Sequence, residues 1–297
     1  MADGVEHGAG VLAPGPLLPL RALAWMLALF VVLAILAGLE TEGRMVLGLR
    51  WSPFGPAGAL VGAGLACAAY VGLVRRFERR WPEELALKAA AGELAYGLAL
   101  GAGLFALVFF GLERLGAESL VRSGPIHWRA ALASNLATGV VEELLFRAVV
   151  FRLLMAVSGP WWALVASAVL FGAAHFLSPH ADLMAAAAIA VEAGLMLAAL
   201  YLATGRLWMS IGAHAAWNFT EGRVFGAAVS GGGAHESLFL AQPNPQAPTL
   251  LTGGAFGPEA SVAAMIAGFA TAAVALWAWR RRTARSAIGE ADARPLA

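Results

Sequence analysis

Polar and apolar residues do not alternate along this chain; the apolar ones gather in runs of about 20, the length of helix that crosses about 30 Å of hydrocarbon. We read eight such runs, at about residues 22–39, 54–74, 94–112, 130–156, 160–178, 183–203, 207–225 and 260–279. The seventh is polar, and a short helix is expected there. The pattern predicts an all-α fold: a polytopic integral membrane bundle of about eight helices, forming one transmembrane domain over residues 20–279. A Pro- and Gly-containing tail precedes it at residues 1–19, and an Arg-rich tail follows at 280–297. The first run is long for a signal-peptide core and no cleavage site follows it, so we read it as an anchor. Residues 226–259 contain "SGGGAH" and "QPNPQAP" and predict no span; a long non-cytoplasmic loop is expected there, a plain connector in preference to a lid.

Composition agrees with the pattern. Hydrophobic residues make up 60% of the 297, charged ones only 13%, and mean hydropathy is +0.73. A formal net charge of +1 gives a nucleic-acid partner no electrostatic support. The single Cys67 excludes an intramolecular disulfide and a cysteine-based metal cluster. Lys88 is the one lysine, and Ala and Gly abound, a bias that points to a GC-rich, prokaryotic genome. With the N-terminus inside, the cytoplasmic side carries thirteen basic residues: Arg21, Arg75, Arg76, Arg79, Arg80, Lys88, Arg152, Arg206, Arg280, Arg281, Arg282, Arg285 and Arg294. The opposite side carries six, Arg44, Arg50, Arg114, Arg122, Arg129 and Arg223, so a plasma-membrane protein with both termini cytoplasmic is expected. Gly58/Gly62 and Gly97/Gly101 have the four-residue spacing that lets helices pack closely in lipid.

One stretch breaks the apolar pattern. "VVEELLFRAVVFR", residues 140–152, places two glutamates and an arginine inside the fourth run. On a helix Glu143 and Arg147 are i and i+4, in the favourable order for an ion pair. Glu142 points about 100° away, on the face of Asn135, Thr138 and Gly139, and is left over. A carboxylate in low dielectric suits a base that takes and returns a proton near neutral pH. The structural alternative is a protonated Glu142 that bonds a neighbouring helix. Two other runs add polar groups. "FGAAHF" places His175 one turn after Phe171, with Gly172 leaving space beside it. "HAAWN" places His214 and Asn218 one turn apart, with Glu221 continuing that face. If these helices pack together, the set can activate water, polarise a carbonyl and stabilise an oxyanion.

Other intramembrane chemistries find no support. There is no HExxH, since "HESLF" at 235–239 lacks the second histidine, and no GxSxG elbow. The aspartates, Asp3, Asp182 and Asp292, lie outside the spans, which argues against an aspartyl pair.

EExxxR at Glu142, Glu143 and Arg147, FxxxH at Phe171 and His175, and HxxxN at His214 and Asn218 together resemble the CAAX-protease and bacteriocin-processing (CPBP) intramembrane proteases. That family includes the type II CAAX prenyl endopeptidases. The resemblance covers a motif core of roughly residues 130–222. It implies a glutamate protease in which Glu142 activates water, His175 helps hold it, and His214 and Asn218 stabilise the oxyanion; Glu143 and Arg147 fix the helix and its field. The implied partners are the lipid bilayer and a peptide or lipidated, CAAX-type protein substrate. No cofactor is favoured; zinc held by Glu142, His175 and His214 is the alternative. Two non-protease readings stay open: a membrane scaffold or bacteriocin-immunity-type protein, and a proton-coupled transporter.

Smaller features have mostly structural readings. Glu192 is expected to bond a polar group on an adjacent helix in preference to neighbouring the cavity, His180 and Asp182 to sit in a solvated turn, and His127 and Trp128 to anchor at the interface. "RRFERRW" at 75–81 is expected to face the headgroups. A rise of 1.5 Å per residue puts Glu142 about 18 Å and His175 about 5 Å from the outer edge, and His214 about 12 Å from the inner one. A CAAX endopeptidase should receive its substrate from the cytosol, and a site at that depth lies at the midplane or in the outer half.

Overall fold

The computed structural model describes residues 10–46, 55–233 and 236–292. Residues 1–9 and 293–297 of the predicted tails, together with Arg50, Arg294 and His235, lie outside the described residues. The protein is a polytopic helical membrane protein. Among the described residues six segments are long and apolar enough to span: 18–39, 55–78, 83–114, 128–177, 183–204 and 262–285.

The helices are α1 (Leu18–Val46), α2 (Gly55–Leu73), α3 (Ala90–Arg114), α4 (Trp128–Glu143), α5 (Arg152–Ala174), α6 (Leu183–Ile189), α7 (Met196–Thr204), α8 (Trp208–Phe219), the short α9 (Thr249–Thr252) and α10 (Val262–Asp292). The segment 128–177 is too long to cross once. It breaks at Gly159, whose φ of 76° no helix adopts, with Pro160 starting the next leg. α5 then packs back on the π-helical turns Leu144–Phe151, so this segment contains the fourth and fifth predicted spans. The seventh predicted span is α8 with the π turn Thr220–Val224, shorter than the six. α10 runs on to Asp292, so much of the Arg-rich tail is helical.

A short, polar α8 is tolerated because it lies at the centre of the bundle. Every residue from Ser210 to Trp217 is buried, against α3, α4 and α7. The α3 contact is the most extensive in the fold, and glycine makes it possible. A Cβ on Gly97 would lie 2.2 Å from the Met209 carbonyl oxygen, and one on Gly101 would lie 2.1 Å from that of Ala213. Phe105, Phe109, Trp217 and Phe225 fill the space beyond, with Phe109 and Phe225 stacked at 4.3 Å.

Two additions were not expected. Glu118–Arg122 (β1) pairs antiparallel with Phe239–Pro243 (β2), so the long loop is tied to the α3–α4 connection. Within "RRFERRW", Arg75 and Arg76 lie over Trp81 and Phe77, but Glu78 and Arg80 turn inward. Arg152 grips Glu78 with bonds of 2.7 and 2.9 Å, and Arg80 grips Glu84 with bonds of 2.7 and 2.8 Å. Half of that cluster is therefore a buried lock rather than a headgroup-facing loop, because Arg152 needs a counter-ion.

Gly101→Ala should lower stability by about 1–3 kcal/mol through overpacking. Gly103→Ala, with nothing within 4 Å of the added methyl, should not. Thermal unfolding in detergent compares them. Burial pushes the Glu118 carboxyl up to about 7. A carboxyl whose folded pKa is raised favours the fold when protonated, so its contribution is full below 4.5 and is lost as pH rises through 7. Amide exchange in β1 and β2 should speed up beyond base catalysis between those values, and Glu118→Gln should abolish the effect.

Candidate active site

The interior contains two large apolar clusters, one built on α1, α2, α5 and α6, the other on α3, α7, α8 and α10. A polar cavity lies where they meet. Its lining includes Glu142 at the end of α4, Phe171 and His175 at the end of α5, and His214, Trp217 and Asn218 on α8. Its volume of ≈ 40 Å³ admits about three waters, at roughly 10–15 Å³ each.

α4 and α8 can bring their polar groups together because Gly139 lies against the backbone of Ile211 and Ala215. At that crossing the two neighbouring glutamates separate. Glu143 is wholly buried; its Oε1 accepts from Arg147 at 2.9 Å and from His214 Nδ1 at 2.9 Å. With a carboxylate as partner, Nδ1 carries a proton, so Nε2 is directed at the cavity. There it lies 3.7 Å from Glu142 Oε2. The Glu142 side chain keeps 33% of its surface exposed and bonds to no other described residue.

Arg147 is anchored from three directions. Beyond Glu143, it donates to the carbonyls of Ala193 at 3.0 Å and Gly194 at 3.4 Å, and its guanidinium lies 4.3 Å from the centre of the Phe171 ring. Phe171 in turn meets His175 at 4.8 Å and His214 at 6.2 Å, so one aromatic ring orients the arginine and both histidines. His175 Nδ1 bonds the Phe171 carbonyl at 2.9 Å, which leaves Nε2 unused. Asn218 makes no hydrogen bond among the described residues. Trp217 Nε1 and Glu143 Oε2 are buried without a partner. The cavity thus holds a carboxylate, two ring nitrogens and an amide, a set able to bind water and a polarised carbonyl.

Four expectations need correction. Gly172 does not leave space beside His175; the backbone of Ala186 and Ala190 fills it, because α6 packs there. Glu221 does not continue the His214–Asn218 face, since the chain turns π-helical from Thr220 and carries it behind the cavity wall. The segment 226–259 is no plain connector: Gly231 lies against the Pro179 carbonyl, and Ser230 and Glu259 line the cavity. Glu192 lines it too and bonds no neighbouring helix, contrary to the structural role expected. The other outer features match their readings in part: Asp182 accepts from the Ala185 N–H to cap α6, and His127 pairs with Glu236 at the surface.

Residue chemistry and geometry point the same way as the sequence comparison. Residues 124–220 match the family model of the Type II CAAX prenyl endopeptidase Rce1-like proteins. The Rce1-like segment holds all seven motif residues, Glu142, Glu143, Arg147, Phe171, His175, His214 and Asn218; α1–α3, the long loop and α10 lie outside it. The motifs that carry the CPBP resemblance all lie within this match. No curated protein and no solved structure matches the chain. As for metal, no three His, Cys, Asp or Glu among the described residues are arranged to hold an ion. The zinc set Glu142, His175 and His214 therefore does not fit this geometry.

Arg147→Met leaves the buried Glu143 carboxylate with only the His214 N–H as partner, and should cost about 3–5 kcal/mol. Glu143→Gln/Arg147→Met should regain a clear part of that loss. Chemical unfolding in detergent measures both.

Proposed function

We propose that this protein is an intramembrane endopeptidase that hydrolyses peptide bonds of membrane-associated or lipidated substrates with a glutamate-activated water. The observation that carries the proposal is the division of labour between adjacent glutamates. Glu143 is consumed by Arg147 and His214, while Glu142 stays unbonded at the cavity, 3.7 Å from the outward nitrogen of the same histidine. The Rce1-like match over 124–220 supports the assignment of class.

In this scheme Glu142 takes a proton from water as its oxygen attacks the scissile carbonyl carbon, and His175 Nε2 helps hold that water. The carbonyl π bond opens and its electron pair moves to oxygen. Asn218 donates an N–H to this oxyanion, and so does His214 from Nε2 when both ring nitrogens are protonated. Protonated Glu142 then passes its proton to the amide nitrogen, the oxyanion's electron pair re-forms the carbonyl, the C–N bond breaks with its pair on nitrogen, and the carboxylic acid gives its proton to the released amine as the two leave as carboxylate and ammonium. Glu143 and Arg147 act at one remove by holding His214 and the helix. The substrate includes a peptide segment presented at a membrane; prenylated CAAX tails are one class within it. The cell is prokaryotic, with both termini of the chain in the cytoplasm.

The test is cleavage by lipid-reconstituted protein of prenylated and unprenylated C-terminal peptides, each with and without a strong chelator. Glu142→Gln should abolish turnover, and Asn218→Ala should lower kcat by about 10²–10³ with little change in KM. Cleavage should survive chelation. Full activity in Glu142→Gln sinks the mechanism, and a scaffold would keep its cellular role in that variant.

A further inference from the structure

The cavity has a second polar wall that the hydrolytic scheme leaves unused. Glu192, on the π segment Ala190–Leu195, and Glu259, at the end of the long loop, both line it. Glu192 is 2% exposed and forms no hydrogen bond or ion pair among the described residues. Glu259 is 3% exposed and accepts from the Ser230 N–H. Glu221 lies behind, fully buried; its side chain hydrogen-bonds that of Glu259, so the two carboxyls share a proton, and no other described side chain bonds Glu221.

Among the described residues no cation bonds Glu192 or Glu259 directly. Arg147 is near Glu192, but its N–H groups go to Glu143, Ala193 and Gly194. His175 is the other charge-bearing group that faces Glu259. Carboxylates buried without donors are costly as anions, so they stay protonated or ionise against a cation that brings its own donors. The complement is not a metal ion, since no three of these groups among the described residues are set to hold one. It needs its own donors, spread over several ångströms. A guanidinium or ammonium group has them, and the guanidinium spreads its five donors over a planar fork.

We propose that Glu192 and Glu259, backed by Glu221, form a subsite for a basic side chain of the substrate, arginine above all, next to the scissile bond. The proposal rests on the peptidase reading. It also gives the long loop a function: Glu259 and Ser230 carry substrate selection, outside the Rce1-like segment.

The test uses Glu142→Gln protein in lipid nanodiscs, so that binding is read without turnover. The probes are fluorescent membrane-anchored peptides in which a single arginine is moved residue by residue, each matched by citrulline, which keeps the shape and loses the charge. At one or two positions arginine should bind at least about tenfold tighter than citrulline. The preference should fall to about twofold or less in Glu192→Gln/Glu259→Gln and survive in the charge-keeping Glu192→Asp/Glu259→Asp. Equal binding everywhere, no binding, or a preference that persists in the glutamine pair overturns the proposal; the carboxylates then share protons among themselves. Cleavage by protein with Glu142 intact is read in parallel. Cleavage without arginine preference sinks the subsite and keeps the peptidase, whereas preference without cleavage sinks the peptidase alone.

Discussion

The structure depends on how one arginine is neutralised inside the membrane. Arg147 is 1% exposed, and an unpaired cation at that depth is among the costliest groups a bundle can hold. Its neutralisation draws in the neighbouring elements. Glu143 comes from the preceding turn, two carbonyls come from the π segment before α7, and Phe171 comes from α5. Glu143 then reaches on to His214 of α8. The charge a lipid-facing helix cannot tolerate thus becomes the tie that gathers α4, α5, α7 and α8 around one cavity.

That tie works because the helices approach closely. Gly97 and Gly101 let α3 press on α8, Gly139 lets α4 cross it, and Gly172 and Gly194 bring α5 against the segment 183–204. Lipid gives no hydrophobic incentive for helices to associate, so close packing and buried polar bonds must supply it. π-helical turns do the local aiming. Three of them carry Arg147, Glu192 and Glu221, charged groups that a regular helix would direct elsewhere. At the far end of α2, a second buried set of Arg80, Arg152, Glu78 and Glu84 locks the chain in the same manner.

Much of the site was legible in the chain because its residues are anomalies in their surroundings. A charge among Val, Leu and Phe stands out, and so do a histidine and an asparagine one turn apart in an apolar run. The i, i+4 spacing of Glu143 and Arg147 was enough to pair them and to leave Glu142 spare. Glu259 was not legible. It follows "GGAFGP" at the end of a polar, glycine-rich segment, where an acidic residue is unremarkable. Its place in the cavity depends on the β1–β2 ladder, on the contact of Gly231 with Pro179, and on the φ of 121° at Gly257.

By itself, then, the sequence determined the membrane, the helical legs, the reversal before Pro160 and the Glu143–Arg147 pair. These follow from solvent and from spacing within one helix, where a 3.6-residue period and a 30 Å core leave little choice. Only the tertiary structure decided which glutamate would be spent on His214, that Glu192 would face the cavity, and that the long loop would close its wall. Those outcomes rest on contacts between elements distant in the chain. Glu143 and His214 are 71 residues apart, and their meeting depends on glycines, π turns and a two-stranded ladder acting together.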